Sequence, residues 1–111
     1  MTRKSFLGEL EQMVLLAVVA GDNDSSSLDI SQELERSADR RASKGALYTT
    51  LDRLKKKGLL EWRIEPGDMA RSGLPRRHFT VTESGITALR ESRGALLNLW
   101  KSAEGVLGEA S

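Results

Sequence analysis

The sequence predicts a mainly α-helical fold carrying a small β wing, and three observations predict it. The first is a capped helix with a glycine stop: Ser43 is a good N-cap, Ala46, Leu47, Leu51 and Leu54 form an inner face, and Gly58 supplies a left-handed position before Leu59. The second is a pair of alternating segments after that stop. Leu60, Trp62 and Ile64 alternate with Glu61, Arg63 and Glu65, and Arg77, Phe79 and Val81 alternate with His78 and Thr80, a period of two that argues for paired strands. The third is charge. The 111 residues hold 17 Lys+Arg and 16 Asp+Glu, yet residues 36–77 alone hold 12 Lys/Arg against 5 Asp/Glu, so a +7 segment is set in a remainder of −6. A basic helix followed by a β wing is the footprint of a protein that docks on phosphates, so the expected arrangement is a winged helix-turn-helix with double-stranded DNA as partner.

The elements follow in chain order. Leu7, Leu10, Met13, Val14, Ala17 and Val18 keep helical spacing, and Leu15, Leu16 and Val19 widen the stripe until the first helix is apolar nearly all round and needs cover on several sides. Gly21 and Asn23 break it. A second, amphipathic helix is expected from about Leu28 to Ala38, with Ile30, Leu34 and Ala38 inward. The polar link from Asp39 to Ala42 joins it to the Ser43 helix, completing a helix-turn-helix pair. Ten residues from Pro66 to Pro75 read as a long loop between the strands. Thr82 is placed to cap a last helix, in which Ile86, Leu89, Arg93, Leu96, Trp100, Ala103 and Leu107 step by alternating three and four, the spacing of a coiled-coil seam. Gly94 and Gly105 each cost about 1 kcal/mol relative to Ala within a helix, so that segment needs a partner surface. The expected organisation is a DNA-binding region over 5–85 and a dimerisation helix with its tail over 86–111, giving a homodimer that reads a palindromic site. Its interface would use Ile86, Leu89, Leu96, Trp100 and Leu107.

Composition narrows the function classes. Cysteine is absent, which removes disulfides, thiolate metal sites and cysteine nucleophiles. His78 is the only histidine and has no spaced acidic set beside it, so a structural role is expected and no metal site or cofactor. No G-x-S-x-G or P-loop pattern occurs, and no enzyme is expected. The apolar run from Met13 to Ala20 is far shorter than the roughly 20 residues that span a bilayer, and Glu9, Glu11 and Gln12 interrupt the N-terminal stretch, so the expectation is a cytoplasmic protein without a membrane partner.

The candidate DNA-binding residues are Ser43, Lys44, Gly45, Tyr48 and Thr49 on the N-terminal face of the third helix, with Arg53 a turn further on. Arg71, Arg76 and Arg77 add the wing, although strand alternation lets only one of the adjacent pair face DNA. Lys55 to Lys57 serve equally well as solvated charge at a helix end. Trp62 is expected in the core.

The strings GALYTTLDRLKKKGLL at 45–60 and GLPRRHFTVTESG at 73–85, with the opening LGELEQMVLLAV, resemble PadR-like transcriptional regulators over about residues 5–90, in the short branch with a single helix after the wing. Lys44 stands where that family commonly has Pro, and Leu74 where it commonly has Arg, which shifts any wing contact to Arg71, Arg76 or Arg77. The resemblance implies a homodimeric repressor that releases its operator on binding a small molecule. It also implies an aromatic or lipophilic effector stacked on Trp100 beside Leu96, between subunits, against the plainer reading of Trp100 as a dimer-core aromatic. Two alternatives stay open: another winged-helix repressor family, MarR-like or penicillinase-repressor-like, and a winged-helix protein-interaction module. The segregated charge argues against the last.

Overall fold

The computed structural model describes residues 7–69 and 73–108, in the order α1 (Glu9–Ala20), α2 (Ser27–Ala38), α3 (Lys44–Lys56), β1 (Leu60–Met69), β2 (Pro75–Val81) and α4 (Glu83–Leu107). None of these helices is long and apolar enough to cross a membrane. Helices α2, α3 and α4 each start where a short polar side chain takes an orphan amide, while α1 starts at Gly8, whose own amide donates to the Glu11 carboxylate. Ser26 accepts from the Asp29 amide while the Asp29 carboxylate accepts from the Ser26 amide, a reciprocal box that starts α2 one residue before the expected Leu28. Ser43 accepts from the Ala46 amide, and Thr82 from the Gly85 amide. The end of α3 is a Schellman turn, with the Leu59 amide donating to the Leu54 carbonyl and the Gly58 amide to that of Lys55, and Gly58 sits at φ +75°.

The core lies around α1, which packs on α2, α3, β2 and α4. Val14, Leu15, Ala17 and Val18 are buried against Ile30 and Leu34 of α2, Leu47, Leu51 and Leu54 of α3, and Leu60, Phe79 and Val81 of the wing base. Two expected inward residues, Ala38 and Ala46, are exposed, and Thr50 takes the buried place on α3 with its hydroxyl donating to the Ala46 carbonyl. The cover of α1 is incomplete. Leu16 and Val19 stay exposed, and Met13, Leu16, Ala17 and Ala20 line an open groove of about 420 Å³ with Leu34 and Ala38 of α2.

β1 and β2 pair antiparallel from Leu60↔Val81 to Ile64↔Arg77, and the ladder turns irregular between Ile64 and Met69. The expected loop is therefore shorter, because strand continues through 66–69. Pro66 lacks an amide and Gly67 lies at φ +83°, which accounts for the irregularity there. The outer edge of β2 is stitched to the α1–α2 turn: Ser25 and Phe79 exchange backbone hydrogen bonds, and the Asn23 amide donates to the Val81 carbonyl while its oxygen accepts from the Val81 amide. Asn23 thus does more than stop α1.

The first turns of α4 belong to the same body. A methyl group on Gly85 would meet the Leu59 carbonyl oxygen at 2.3 Å, so only glycine lets α4 sit this close to the turn after α3. Ile86 and Leu89, both expected at a subunit seam, are partly buried against the chain's own core, and Ser92 is buried. Beyond Ser92 the helix carries Leu96, Leu97, Leu99, Trp100, Val106 and Leu107 exposed.

Candidate nucleic-acid interface

One face of α3 is committed to the core through Leu47, Thr50, Leu51 and Leu54. At about 100° per residue the opposite direction runs through Gly45, Thr49, Asp52 and Lys56, with Lys44 and Tyr48 on one flank and Arg53 on the other. All seven are exposed. The Ser43 hydroxyl is occupied by its cap, and its carbonyl accepts from the Leu47 amide. The amides of Lys44 and Gly45, in the first turn, have no intrahelical partner and are the ones an anion would find. Apart from its chain neighbours and the helix's own backbone, nothing lies within 4 Å of where a Gly45 side chain would begin, so the missing side chain serves no internal packing and leaves the backbone open to close approach from outside. The Tyr48 hydroxyl is 3.3 Å from Ser27 Oγ, which braces its ring against the start of α2.

Ion pairing divides the basic segment into two sets. Lys55 binds Glu61 at 2.9 Å, Lys57 binds Glu11 at 2.7 Å, Arg40 binds Glu9 at 2.9 Å and Arg41 binds Glu35 at 3.2 Å. Arg36 pairs with Glu33, and Arg63 forks onto Asp24. Of the described cations from Arg36 to Arg77, those without an ion-pair partner are Lys44, Arg53, Lys56, Arg76 and Arg77. Three of these are on the outward surface of α3 and two on the wing. The run Lys55 to Lys57 is therefore not one patch: its outer two members tie elements together and Lys56 alone faces out with Thr49 and Asp52.

The wing separates its two adjacent arginines. Arg77 shares a face with Phe79 and Val81, and Arg76 shares the other with His78 and Thr80. The Arg77 guanidinium carbon lies 4.4 Å from the centroid of the Trp62 ring, a cation–π contact. Trp62 is thus not a core residue. The hairpin outruns the body it grows from, so the face that is buried at Leu60 is 36% exposed at Trp62 and 48% at Ile64. His78 Nδ1 is 3.4 Å from Asp24 Oδ1, beside the Arg63–Asp24 fork, which ties the wing base to the α1–α2 turn. Arg71 lies outside the described residues.

Asp52 and Lys56, which the expected DNA-binding set did not include, are exposed on the same outward stripe of α3. The signal was present: Asp52 falls three residues after Thr49 and four after Tyr48, and Lys56 four after Asp52, along the stripe the inner face leaves outward.

A family model described as the transcriptional regulator PadR-like family matches residues 15–91. The chain is 40% identical over 94 residues to the transcriptional regulator Rv3488 of Mycobacterium tuberculosis, covering 83% of this chain and 78% of that protein. Among solved structures it is similar to a PadR-like transcription factor from Bacteroides fragilis, at 26% identity and a TM-score of 0.71 over 87% of this chain and 88% of that one. F93 from STIV, a winged-helix DNA-binding protein, shares the fold at 18% identity and a TM-score of 0.64, over 83% of this chain and 91% of that one.

Proposed function

This chain belongs to the PadR-like family of transcriptional regulators, DNA-binding winged-helix proteins rather than enzymes, and from that premise we propose that it is a homodimeric, effector-responsive repressor. The α3 helix of each subunit enters the major groove of a palindromic operator at half-sites about one helical turn, roughly 34 Å, apart. Ser43, Lys44, Gly45, Tyr48, Thr49 and Arg53 make the contacts there, and Arg71 with one of the adjacent pair Arg76 and Arg77 holds the flanking phosphates, with the work done in the cytoplasm. The observation that carries this reading is the split among the cations: those left unpaired lie on the outward surface of α3 and on the wing. Residues 5–85 supply the DNA-binding region and the segment from 86 the dimer contact. Leu96, Leu97, Leu99 and Trp100 support the latter, being between 46% and 66% exposed within five residues, an apolar surface that needs cover. An aromatic or lipophilic effector bound beside Trp100 and Leu96 would release the operator.

Fluorescence anisotropy on labelled duplexes at two salt concentrations tests the DNA contacts. Arg53→Ala and Tyr48→Ala each weaken operator binding by roughly 1–3 kcal/mol, whereas Arg71→Ala or Arg76→Ala weakens all sequences alike and flattens the salt slope by about one phosphate. Binding unchanged by all four moves the interface elsewhere.

A further inference from the structure

We infer that Asp52 is a base-reading residue that accepts a hydrogen bond from the exocyclic amino group of a cytosine in each half-site, and so sets part of the operator sequence; the inference rests on α3 being the DNA-reading helix. Asp52 is exposed, three residues after Thr49 and four before Lys56, close to the outermost line of α3. Nothing within the fold accounts for an anion there. It forms no ion pair among the described residues, although Lys55 and Lys56 stand at the helical spacings that would allow one: Lys55 reaches Glu61, and Lys56 is unpaired. It also sits beyond the first turn of the helix, where the helix dipole gives a carboxylate no support. Glu9, Glu11, Glu33, Glu35, Glu61 and Glu65 are each bonded to a cation of the basic segment, and Asp39, which is not, serves as the left-handed C-cap of α2.

A carboxylate facing a polyanion is repelled unless it meets a donor. In the major groove the donors are the amino groups of cytosine and adenine. An ionised Asp only accepts, so it suits the cytosine N4 amino group. Adenine presents its N7 acceptor beside its donor, and guanine N7 and O6 and thymine O4 would face the carboxylate with lone pairs. The same side chain therefore attracts one base and repels others, which is how a single contact produces discrimination.

The test uses the full chain, with a binding site selected from random duplexes and then varied one base pair at a time in anisotropy titrations. For the unaltered protein, one position per half-site prefers cytosine over the alternatives by about 5- to 100-fold. Asp52→Ala loses that preference, leaves preferences at other positions intact and binds the former wrong bases more tightly than the unaltered protein does. Asp52→Asn, which keeps the shape but adds donors, moves the preference at that position to adenine. If Asp52→Ala instead tightens binding to every duplex by one common factor with all preferences kept, Asp52 is only a repulsive charge and the inference falls while the DNA-reading helix stands. An unaltered protein with no sequence preference overturns both.

Discussion

Glu11 carries opposing influences on one carboxyl. Burial pushes its pKa up, but the hydrogen bond from Lys57 Nζ at 2.7 Å, the Gly8 amide at 2.8 Å and the charges of Lys57 and Arg53 outweigh burial and hold it below the ordinary carboxylate value. A carboxyl depressed by folding gives stability that is complete above its unfolded pKa and is lost as pH falls through the folded one. Glu11→Gln should therefore cost roughly 1–3 kcal/mol at pH 7 and progressively less as the pH drops below the ordinary carboxylate range. Urea denaturation of both proteins across that range measures it; a gap that stays constant into acid would mean the ion pair contributes nothing. In the sequence Glu11 looked like an interruption of an apolar run, because its partner lies 46 residues away and only the packing of α3 on α1 brings them together. Asn23 was hidden for the same reason, since a residue that breaks a helix locally gives no sign that its amide will pair with Val81. Ser43, Thr82 and Gly58 were legible, as caps and a left-handed stop act within a few residues of themselves.

Along α4 the packing changes character at Ser92. Up to that residue the helix is held by Gly85 against Leu59 and by Ile86 and Leu89 against the core; past it the apolar side chains are exposed. The coiled-coil spacing from Ile86 to Leu107 predicted a single seam. Spacing alone could not say that its first positions would meet the chain's own body. Exposed Leu97, Leu99 and Val106 also make the distal surface broader than that seam. Truncation before Leu96 leaves the packed turns in place, so the winged body should still fold, become monomeric and lose operator affinity. Sedimentation velocity and anisotropy on the shortened chain decide this, and a stable dimer would shift the contact to another surface, such as the groove beside Leu16. The wing taught a similar lesson: alternation identified the strands, while the depth of the body beneath them decided that Leu60 is buried and Trp62 is not.

The whole molecule measures 54 × 36 × 24 Å with a radius of gyration of 15.8 Å, against about 13 Å for a compact chain of this length. The wing bears cations without an ion-pair partner, and distal α4 is exposed and apolar. A ligand seated on the apolar side can release DNA only if it binds the free arrangement better than the DNA-bound one. Titration with planar aromatic compounds should quench tryptophan fluorescence; Trp100→Ala should abolish the quenching and preserve DNA binding. Quenching that survives Trp100→Ala but disappears in Trp62→Phe would put the ligand on the wing. The stitching of β2 to Ser25 and Asn23 has its own effect at this scale. A two-stranded ribbon ordinarily offers two rows of backbone groups to other chains, an invitation to strand addition and aggregation. Here one row is filled at Phe79 and Val81, and the free row along β1 is flanked by Glu61, Arg63, Glu65 and Pro66, charges and an imino acid that a foreign strand accommodates poorly. The hairpin can project far from the body and carry exposed Trp62 and Ile64 without becoming a template for fibres.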